Sequence, residues 1–427
     1  MTPLSPPGSL PVNRDSDPSN KLALIGWLFW FLAALFYAYE FIHRIVPSIL
    51  TTELRAAFNI NERELGQIGA LYFYAYAALQ IPAGLLLDKF GTKKILVLAS
   101  LVLTVGSFIF STTNTYFIAQ IARIMIGAGS AFAFISCLNI GAAWLSPRYF
   151  PLMVGLTNLC GTLGALSAGA PFSYVVEYLG WRAALLYLSV AGIAITALIA
   201  LFLKDKKIPI SLPAKPVPLF QALIQVIKHP QSWLIGIYGA LLVAPIVALP
   251  EMWGVEYLSL AYQLSTPSAS LLTHTIFIGT ALGGPLLGWL MPYFPHKHYL
   301  MMGATLCALL LLITLLYYLN LSHAFLYAVL FAYGLFTANM LLCFTLISKV
   351  HPLKIQGTAL GFINMLIMGF GGLAQYGIGF ILTPLRERHE GVILLQDYQF
   401  ALSILPVCLV IALILSFRIK STLQETL

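Results

Sequence analysis

The sequence predicts an all-α membrane protein in which twelve transmembrane helices form two pseudo-symmetric six-helix halves. Three observations lead to this prediction. The chain is strongly apolar, its apolar residues form twelve long continuous runs, and its basic residues collect in alternate loops. Together they indicate that lipid, rather than water, surrounds most of the chain.

The amino-acid composition is that of a chain that folds in lipid. Of its 427 residues, 59% are hydrophobic and only 9% are charged, and the mean hydropathy is +0.88. Soluble domains are about one quarter charged, so no water-soluble core could bury this much apolar surface. The apolar runs are continuous rather than alternating, which excludes barrel strands. The net charge of +8 therefore reflects membrane topology and does not indicate nucleic-acid binding.

Twelve stretches are long enough to cross a bilayer, which takes roughly 20 apolar residues in a helix. The predicted spans are 22–48, 66–88, 94–112, 115–143, 151–175, 182–203, 232–257, 271–291, 299–319, 322–346, 356–383 and 399–418. Residues 1–21 are polar and rich in Pro and Ser, without the basic-then-apolar layout of a signal peptide. They predict a disordered cytoplasmic tail, followed by a first helix that stays uncleaved.

The basic residues predict which side of the membrane each loop occupies. Sixteen Lys and Arg residues fall in one set of loops, which includes both termini, and five fall in the opposite set. Because cytoplasmic loops are enriched in Lys and Arg, both termini are expected in the cytoplasm. The two remaining basic residues, Arg44 and Arg123, fall inside spans 1 and 4.

A central loop and an internal repeat predict the two halves. Residues 204–230 are rich in Pro and Lys and separate an N-terminal half from a C-terminal half. GLTN in span 5 matches GFIN in span 11, and Gly127 in span 4 matches Gly334 in span 10, with offsets of 206 and 207 residues. Such repeats are typical of secondary transporters, whose substrate site lies between the halves near the bilayer midplane. The predicted units are the halves 22–203 and 231–420 and a cytoplasmic tail, 421–427.

The segment GLLLDKFGTKK leads from span 2 into a short cytoplasmic loop. Gly84 has no Cβ and lets another helix approach closely. Asp88 is placed to pair with a helix N-terminus or a basic group, and Gly91 permits a tight turn. Lys93 and its basic neighbours hold the loop on the cytoplasmic side. The alternative is an ordinary loop that carries positive-inside lysines.

The Gly-x-x-x-Asp-Lys-x-Gly pattern after span 2 resembles the signature of the major facilitator superfamily. IARIMIGAGSAF in span 4, where Gly127 follows Arg123 by four residues, is also similar to that family. The resemblance covers the whole chain and implies alternating access, with Asp88 in a cytoplasmic latch and Arg123 in proton coupling or gating. Pro292 stands where the second half would repeat the Asp, so a second latch is expected to be weak or absent.

The stretch FYAYEFIHRIVPSIL in span 1 places three ionisable groups close together. Glu40 lies about 28 Å along the span at 1.5 Å per residue, and Glu40, His43 and Arg44 are expected on one helix face. In one interpretation Glu40 and Arg44 form a structural pair at the outer interface. In the other, Arg44 binds an anionic group of a substrate, because Arg recognises carboxylates in a bidentate manner, and Glu40 tunes it or carries a proton. Pro47 is expected to bend the helix soon afterwards.

Further polar residues within the spans are candidates for the same site. Glu251, with Trp253, lies in span 7, 211 residues after Glu40 and close to the repeat offset. It is a second candidate proton carrier or, alternatively, an outer-interface residue. The other candidates are Tyr72, Tyr76 and Gln80 on one face of span 2, and Asn158, Asn339, Asn364 and Gln375 in spans 5, 10 and 11. The alternative is that these side chains only bond within a packed interface.

The sequence predicts a secondary transporter, and not an enzyme, for a small organic solute such as an organic acid, an amino acid or a short peptide. The ion gradient is expected to be protons, with no cofactor or metal. The organic-anion branch of the superfamily, which span 1 resembles, supports this class. Span 5 lacks the Gly-Pro-x-x-Gly-Gly run of the family's antiporters, which favours uptake. The protein is expected as a monomer in a bacterial inner membrane.

Two other functions stay open at this stage. One is export of a siderophore or amphipathic drug, for which 13% aromatic residues would be suitable. The other is an intramembrane enzyme or a receptor, for which Ser270 and His274, four residues apart in span 8, are a weak signal. The five cysteines are scattered without metal-ligand spacing and predict small buried side chains.

Overall fold

The computed structural model describes residues 18–206, 217–290, 293 and 297–419, and every regular element among them is helical. The helices of the first half are α1 Pro18–Ile45, α2 Thr51–Phe58, α3 Glu62–Phe90, α4 Thr92–Thr112, α5 Tyr116–Ser130, α6 Ala133–Trp144, α7 Phe150–Ser167, α8 Ala170–Leu179 and α9 Trp181–Phe202. Those that follow are α10 Leu219–Lys228, α11 Pro230–Ala248, α12 Gly254–Tyr262, α13 Thr266–Leu290, α14 Lys297–Tyr317, α15 His323–Thr337, α16 Leu341–Val350, α17 Gln356–Arg388, α18 Leu395–Leu402 and α19 Ile404–Ser416.

Twelve helical segments of the described chain are long and apolar enough to cross a membrane. In the first half, α1, α3, α4 and α9 form spans 1, 2, 3 and 6, while α5 with α6 and α7 with α8 form spans 4 and 5. In the second half, α13, α14 and α17 form spans 8, 9 and 11, while α11 with α12, α15 with α16 and α18 with α19 form spans 7, 10 and 12. Each overlaps the predicted span of the same number, so the predicted fold class is confirmed.

Several spans are interrupted where the sequence analysis placed single helices. Span 4 breaks after Ser130 and span 10 after Thr337, and these breaks are 207 positions apart (337 minus 130), which is the offset of the sequence repeat. Span 1 ends in a 3₁₀ turn at Pro47, as expected, because proline lacks the N–H that would continue the helix. Span 7 contains a π-helical turn, Leu249–Trp253. Interruptions of this kind often mark functional sites.

The predicted repeat is visible as a repeat of helix packing. A Cβ at Gly127 in span 4 would collide with the main chain of Tyr72 in span 2. In the second half, a Cβ at Gly334 in span 10 would collide in the same way with the main chain of Ile276 in span 8. Equivalent glycines therefore bring equivalent helices together in both halves, as small residues do in membrane proteins.

Replacing Gly127 by Leu is expected to destabilise the folded protein, because four side-chain carbons must enter a backbone-to-backbone contact. Overpacking of this kind costs about 1–3 kcal/mol, and the thermal unfolding temperature in detergent is expected to fall. Gly155→Leu is the matched control, since a Cβ there meets no atom of the described chain within 4 Å and the change in helix propensity is the same. Equal unfolding temperatures for the two variants would contradict the packing assignment.

The two halves are close together at one membrane face and apart at the other. We call these the Arg55 face, where α2 lies, and the Gly91 face, where span 1 begins. Near the Arg55 face, Gly66 and Gly379 bring the main chains of spans 2 and 11 together. Toward the Gly91 face, no atom of the described residues lies within 4 Å of a Cβ built at Gly84 or Gly357. The close helix approach predicted at Gly84 is thus not present in this conformation, because the halves separate on that side.

The central segment between the halves is partly helical rather than a loop throughout. Within the predicted loop 204–230, α10 buries Ala222 and Val226 and packs against α11 and α17 of the second half. The predicted tail 1–21 lies outside the described residues apart from the first turn of α1, and the tail 421–427 lies wholly outside them.

Candidate functional site

Arg44 lies between the two halves in the last turn of α1. Its Nε and Nη2 donate to the two carboxylate oxygens of Glu251 at 2.8 and 2.9 Å, so the pair is bidentate and crosses from span 1 to span 7. The guanidinium lies 5.0 Å from the ring centroids of both Phe41 and Phe73. Arg44 is 7% exposed and Glu251 is 1% exposed. Such a pair is a strong, planar carboxylate–guanidinium contact in a dry environment.

Glu251 lies on the π-helical turn of span 7, between Pro250 and Trp253. Pro250 has no N–H to donate, so the ordinary hydrogen-bond ladder is not maintained through this turn. The extra residue per turn changes the direction of the side chains that follow, and Glu251 points at the first half. The π-helical turn therefore places the carboxylate opposite Arg44.

Glu40 accepts a hydrogen bond of 2.6 Å from the Tyr72 hydroxyl and is buried. The i,i+4 spacing allows a structural pair of Glu40 with Arg44, but in the structure Arg44 pairs with Glu251. The expectation that His43 shares their face is wrong, because its ring packs edge-on against Tyr39, with centroids 4.7 Å apart. One helical turn therefore points its ionisable groups at different partners.

Arg123 is buried within the first half and binds main-chain carbonyls. Its Nε donates to Ile68 at 3.0 Å and its Nη1 to His43 at 2.9 Å, and its guanidinium lies 5.1 Å from the Tyr72 ring centroid. It therefore fixes spans 1, 2 and 4 relative to one another and supports the tyrosine that binds Glu40.

An amide pair connects the halves on the Gly91 side of Arg44. Asn364 donates to Gln80 at 2.7 Å, joining span 11 to span 2. Tyr76 lies between this pair and Tyr72, on whose ring it stacks with centroids 6.1 Å apart. Gln80 is seven residues beyond Phe73, or about 10 Å along the helix. The predicted polar face of span 2 thus forms a row that begins at Glu40 and ends at the amide pair.

Trp253 and Gln375 connect span 7 to span 11. The Trp253 indole donates to the Gln375 carbonyl at 3.0 Å, and the Gln375 side chain donates to the Val247 carbonyl at 2.8 Å. Both residues are buried. These contacts hold the π-helical turn on both sides of Glu251, so the two residues position the site without touching Arg44.

Two predicted substrate ligands lie away from this cluster. The Asn339 amide donates to Tyr238 at 2.8 Å and to Thr305 at 3.1 Å, inside the second half, because the 3₁₀ turn of span 10 directs it at spans 7 and 9. Asn158 is exposed and donates to the Val154 carbonyl of its own helix. Its repeat partner, Asn364, crosses between the halves, so the same motif has two different environments.

The predicted latch segment is described except for the side chain of Asp88, and Pro292 also lies outside the described residues. Gly91 adopts φ +87°, a left-handed conformation that favours glycine, which confirms the tight turn. The backbone N–H of Lys93 donates to Asp205 at 2.8 Å. Asp205, at the end of span 6, therefore binds the first turn of α4, and the sequence analysis did not single it out.

The site combines one buried cation, two buried carboxylates and a row of hydroxyl and amide groups between two helical halves. In the described part of the chain, no group of three or more His, Cys, Asp or Glu side chains is placed to hold a metal ion. Chemically, such an arrangement can bind an anionic group at the guanidinium and exchange a proton at a carboxylate.

The comparison with known proteins gives the family. A family model described as Major Facilitator Superfamily matches residues 23–375, and the chain belongs to this superfamily. It is therefore a multi-pass membrane transporter and not an enzyme.

Curated relatives match parts of the chain. One is a protein of Cupriavidus necator named as a probable sulfoacetate transporter, 28% identical over 171 residues, which are 40% of each chain. Another is probable anion transporter 5 of Arabidopsis thaliana, 28% identical over 164 residues, which are 38% of each chain. A transporter of Bacillus subtilis called YybO is 21% identical over 295 residues, 63% of this chain and 66% of that one. In each case the match spans less than two thirds of the relative.

Solved structures show the same fold at low sequence identity. A bacterial homologue of the human lysosomal transporter Spinster, in an inward-facing and occupied conformation, superposes with a TM-score of 0.76 at 16% identity, covering 96% of this chain and 98% of that one. A mutant of the nucleoside transporter NupG superposes with a TM-score of 0.70 at 16% identity, covering 94% and 100%.

Proposed function

We propose that the protein is a secondary active transporter that moves a small organic anion by alternating access, with Arg44 as the group that binds the anion. The observation that carries this proposal is the bidentate contact of Arg44 with the Glu251 carboxylate between the halves. The contact puts a planar carboxylate against Arg44, and the anionic group of a solute would reproduce this geometry. Organic acids, amino acids and short peptides all carry such a group.

The electrostatics of the pair explain how a solute would replace Glu251. Leaving one member of a buried ion pair alone costs about 3–5 kcal/mol, so Arg44 needs a counter-ion at every stage. Without solute, Glu251 is that counter-ion. When the anionic group of a solute approaches, a proton on Glu251 keeps the site neutral and frees Arg44. Binding of the anion and of the proton is therefore linked.

The remaining polar groups have three different roles in this proposal: they line the path of the solute, carry a proton or close the Gly91 face. Tyr72, Tyr76, Gln80 and Asn364 line the row along which the rest of the solute would lie. Glu40, held by Tyr72, is the second candidate proton carrier, and Arg123 supports it through the Tyr72 ring. In the opposite conformation, the latch residues Gly84, Asp88, Gly91 and Lys93 would close the Gly91 face.

The names of the relatives support an anionic solute, since sulfoacetate carries both a carboxylate and a sulfonate. Because the identities are below 30% and the matches partial, they support the class and not a particular compound. The excess of basic residues in the sequence loops that are predicted to share a side with both termini, 16 against 5, supports a cytoplasmic location for the Gly91 face and for both termini. We also propose that the protein is a monomer and is located in a bacterial inner membrane.

The proposal is tested by thermal stability of the detergent-purified protein against a ligand panel of sulfonated and simple carboxylates, sugar acids, amino acids, dipeptides, siderophores and hydrophobic cations. A ligand at 100 times its dissociation constant adds about 2.7 kcal/mol to the native state, which is easily measured. We expect stabilisation by an organic anion that weakens as the pH rises, because deprotonated Glu251 competes for Arg44. Stabilisation by hydrophobic cations alone would contradict the proposal and favour an exporter.

A further inference from the structure

Four charged side chains form a continuous chain on the Arg55 face, separate from the Arg44 site. Arg55 Nη2 lies 2.5 Å from Glu256 and Arg55 Nη1 lies 3.5 Å from Glu62 Oε1. Arg386 Nη1 lies 2.5 Å from the same Glu62 oxygen. The order along this gate chain is Glu256, Arg55, Glu62, Arg386.

The gate chain begins and ends in the second half of the protein and passes through the first half between them. Arg55 is on α2 and Glu62 begins span 2, both in the first half, whereas Glu256 is in span 7 and Arg386 ends span 11, both in the second half. Two of the three contacts therefore cross between the halves. The third, between Arg55 and Glu62, lies within the first half and would survive a separation of the halves.

Glu62 is the unusual member of the gate chain. It is 0% exposed. One carboxylate oxygen is shared by two guanidinium groups, whereas Oε2 has no hydrogen-bond partner among the described residues. A buried carboxylate requires a counter-charge, and a second unused oxygen leaves Arg55 able to bind Glu62 through both oxygens. Burial alone would lower the pKa of Arg55, but the adjacent Glu256 carboxylate raises it, so the guanidinium stays charged.

The other members of the gate chain are in contact with water. Arg55, Glu256 and Arg386 line a cavity of about 480 Å³ that opens on this face, and the Arg386 side chain is 35% exposed. When the halves separate, Glu256 and Arg386 can therefore be hydrated where they stand, whereas Glu62 cannot.

We infer that the gate chain holds the Arg55 face closed and that Glu62 changes from sharing Arg386 and Arg55 to pairing with Arg55 alone when this face opens. The first half then keeps a neutral buried pair, and no charge is left alone in an apolar environment. This device rests on the alternating access of the family and not on the identity of the solute.

The test measures labelling of two reporter cysteines by an impermeant maleimide in proteoliposomes, with the five native cysteines replaced by alanine. Ser173→Cys is a reporter for the Arg55 face, because Ser173 is 3% exposed in α8, which packs against span 8. Gly155→Cys is the reporter for the Gly91 face, because a Cβ at position 155 meets no atom within 4 Å in the part of the chain that the structure describes. No solute is needed, so failure of this inference and failure of anion transport are distinguishable.

Combining Glu256→Gln with Arg386→Gln removes both ion pairs that cross the halves. We expect labelling of Cys at position 173 to become about tenfold faster, an equilibrium shift of about 1.4 kcal/mol, and labelling at position 155 to become slower. Arg182→Gln is the control, because Arg182 is on the same face but bonds within the first half, and it should change neither rate.

Two further variants test whether a change in the labelling rate comes from the lost charges or from damage to the fold. Arg386→Lys keeps a positive charge beside Glu62 and is expected to keep labelling at position 173 slow. Arg386→Gln alone, which leaves the Arg55–Glu256 pair intact, should give an intermediate rate and remains interpretable if the double variant does not fold. Unchanged labelling at both reporters in Arg386→Gln and in the double variant would overturn the inference.

Discussion

Arg44→Gln is expected to abolish transport of the anionic solute, with binding weakened by about 10²–10⁴-fold. Each hydrogen bond to a charged group contributes about 1.5–3 kcal/mol, and a bidentate contact contains two of them, while 1.4 kcal/mol corresponds to a factor of ten. The measurement is uptake into proteoliposomes of an anion identified by the ligand panel, together with the thermal shift that this anion produces.

Two companion variants show whether the loss is specific to recognition. Arg44→Lys keeps the charge but cannot make the planar double contact, so an intermediate affinity is expected. Arg44→Gln leaves Glu251 buried without a partner, and the resulting loss of stability should be relieved in the double variant with Glu251→Gln. Uptake by Arg44→Gln at the wild-type rate would show that Arg44 is a structural residue and not an anion ligand.

The spans and the two halves are predictable from sequence because lipid imposes a simple requirement on the chain. Every backbone polar group must be satisfied inside a helix, so composition and run length alone give the twelve spans. The Gly127 and Gly334 offset likewise predicts the repeat, because a glycine at a backbone-to-backbone contact has no equivalent replacement. These features depend on local sequence, so they can be predicted from the sequence alone.

The partner of Arg44 was not predictable from local spacing. The i,i+4 rule favours Glu40, yet Glu251, 207 residues away, is the partner because the two spans meet between the halves. A signal did exist: the offset of 207 that relates Gly127 to Gly334 also relates Arg44 to Glu251. Applying the repeat to charged residues would have found a pair across the pseudo-symmetry axis. The alignment of Glu251 with Glu40 instead was four residues out of register.

Other parts of the site depend on conformation, which sequence does not specify. Asn158 and Asn364 occupy the same motif, but only Asn364 reaches across the halves, because span 11 packs more closely against span 2 than span 5 does against span 8. Glu62 and Asp205 were overlooked for a different reason. Both are acidic residues at the ends of spans, where charge is ordinary, and only the structure shows that one is fully buried and the other caps α4.

Glu251→Gln is expected to uncouple transport from the proton gradient while keeping the exchange of labelled for unlabelled solute. In the wild type, each solute that binds Arg44 requires a proton on Glu251, so the apparent affinity should fall about tenfold for each pH unit above the range where Glu251 is protonated. Glutamine is always neutral, so the variant should bind with an affinity that does not change with pH. The measurements are concentrative uptake driven by an imposed pH gradient and equilibrium binding over a range of pH.

The same variant leaves Arg44 without its counter-ion, which gives a second expected result. Without solute the protein should be less stable than the wild type, by a substantial part of the about 3–5 kcal/mol that an unpaired buried charge costs, and an anionic solute should stabilise it more than it stabilises the wild type. Glu40→Gln is the matched comparison, because Glu40 is equally buried but binds Tyr72. If Glu40→Gln loses the pH gradient response and Glu251→Gln keeps it, the proton is carried by Glu40, and Glu251 serves only as the resting partner of Arg44.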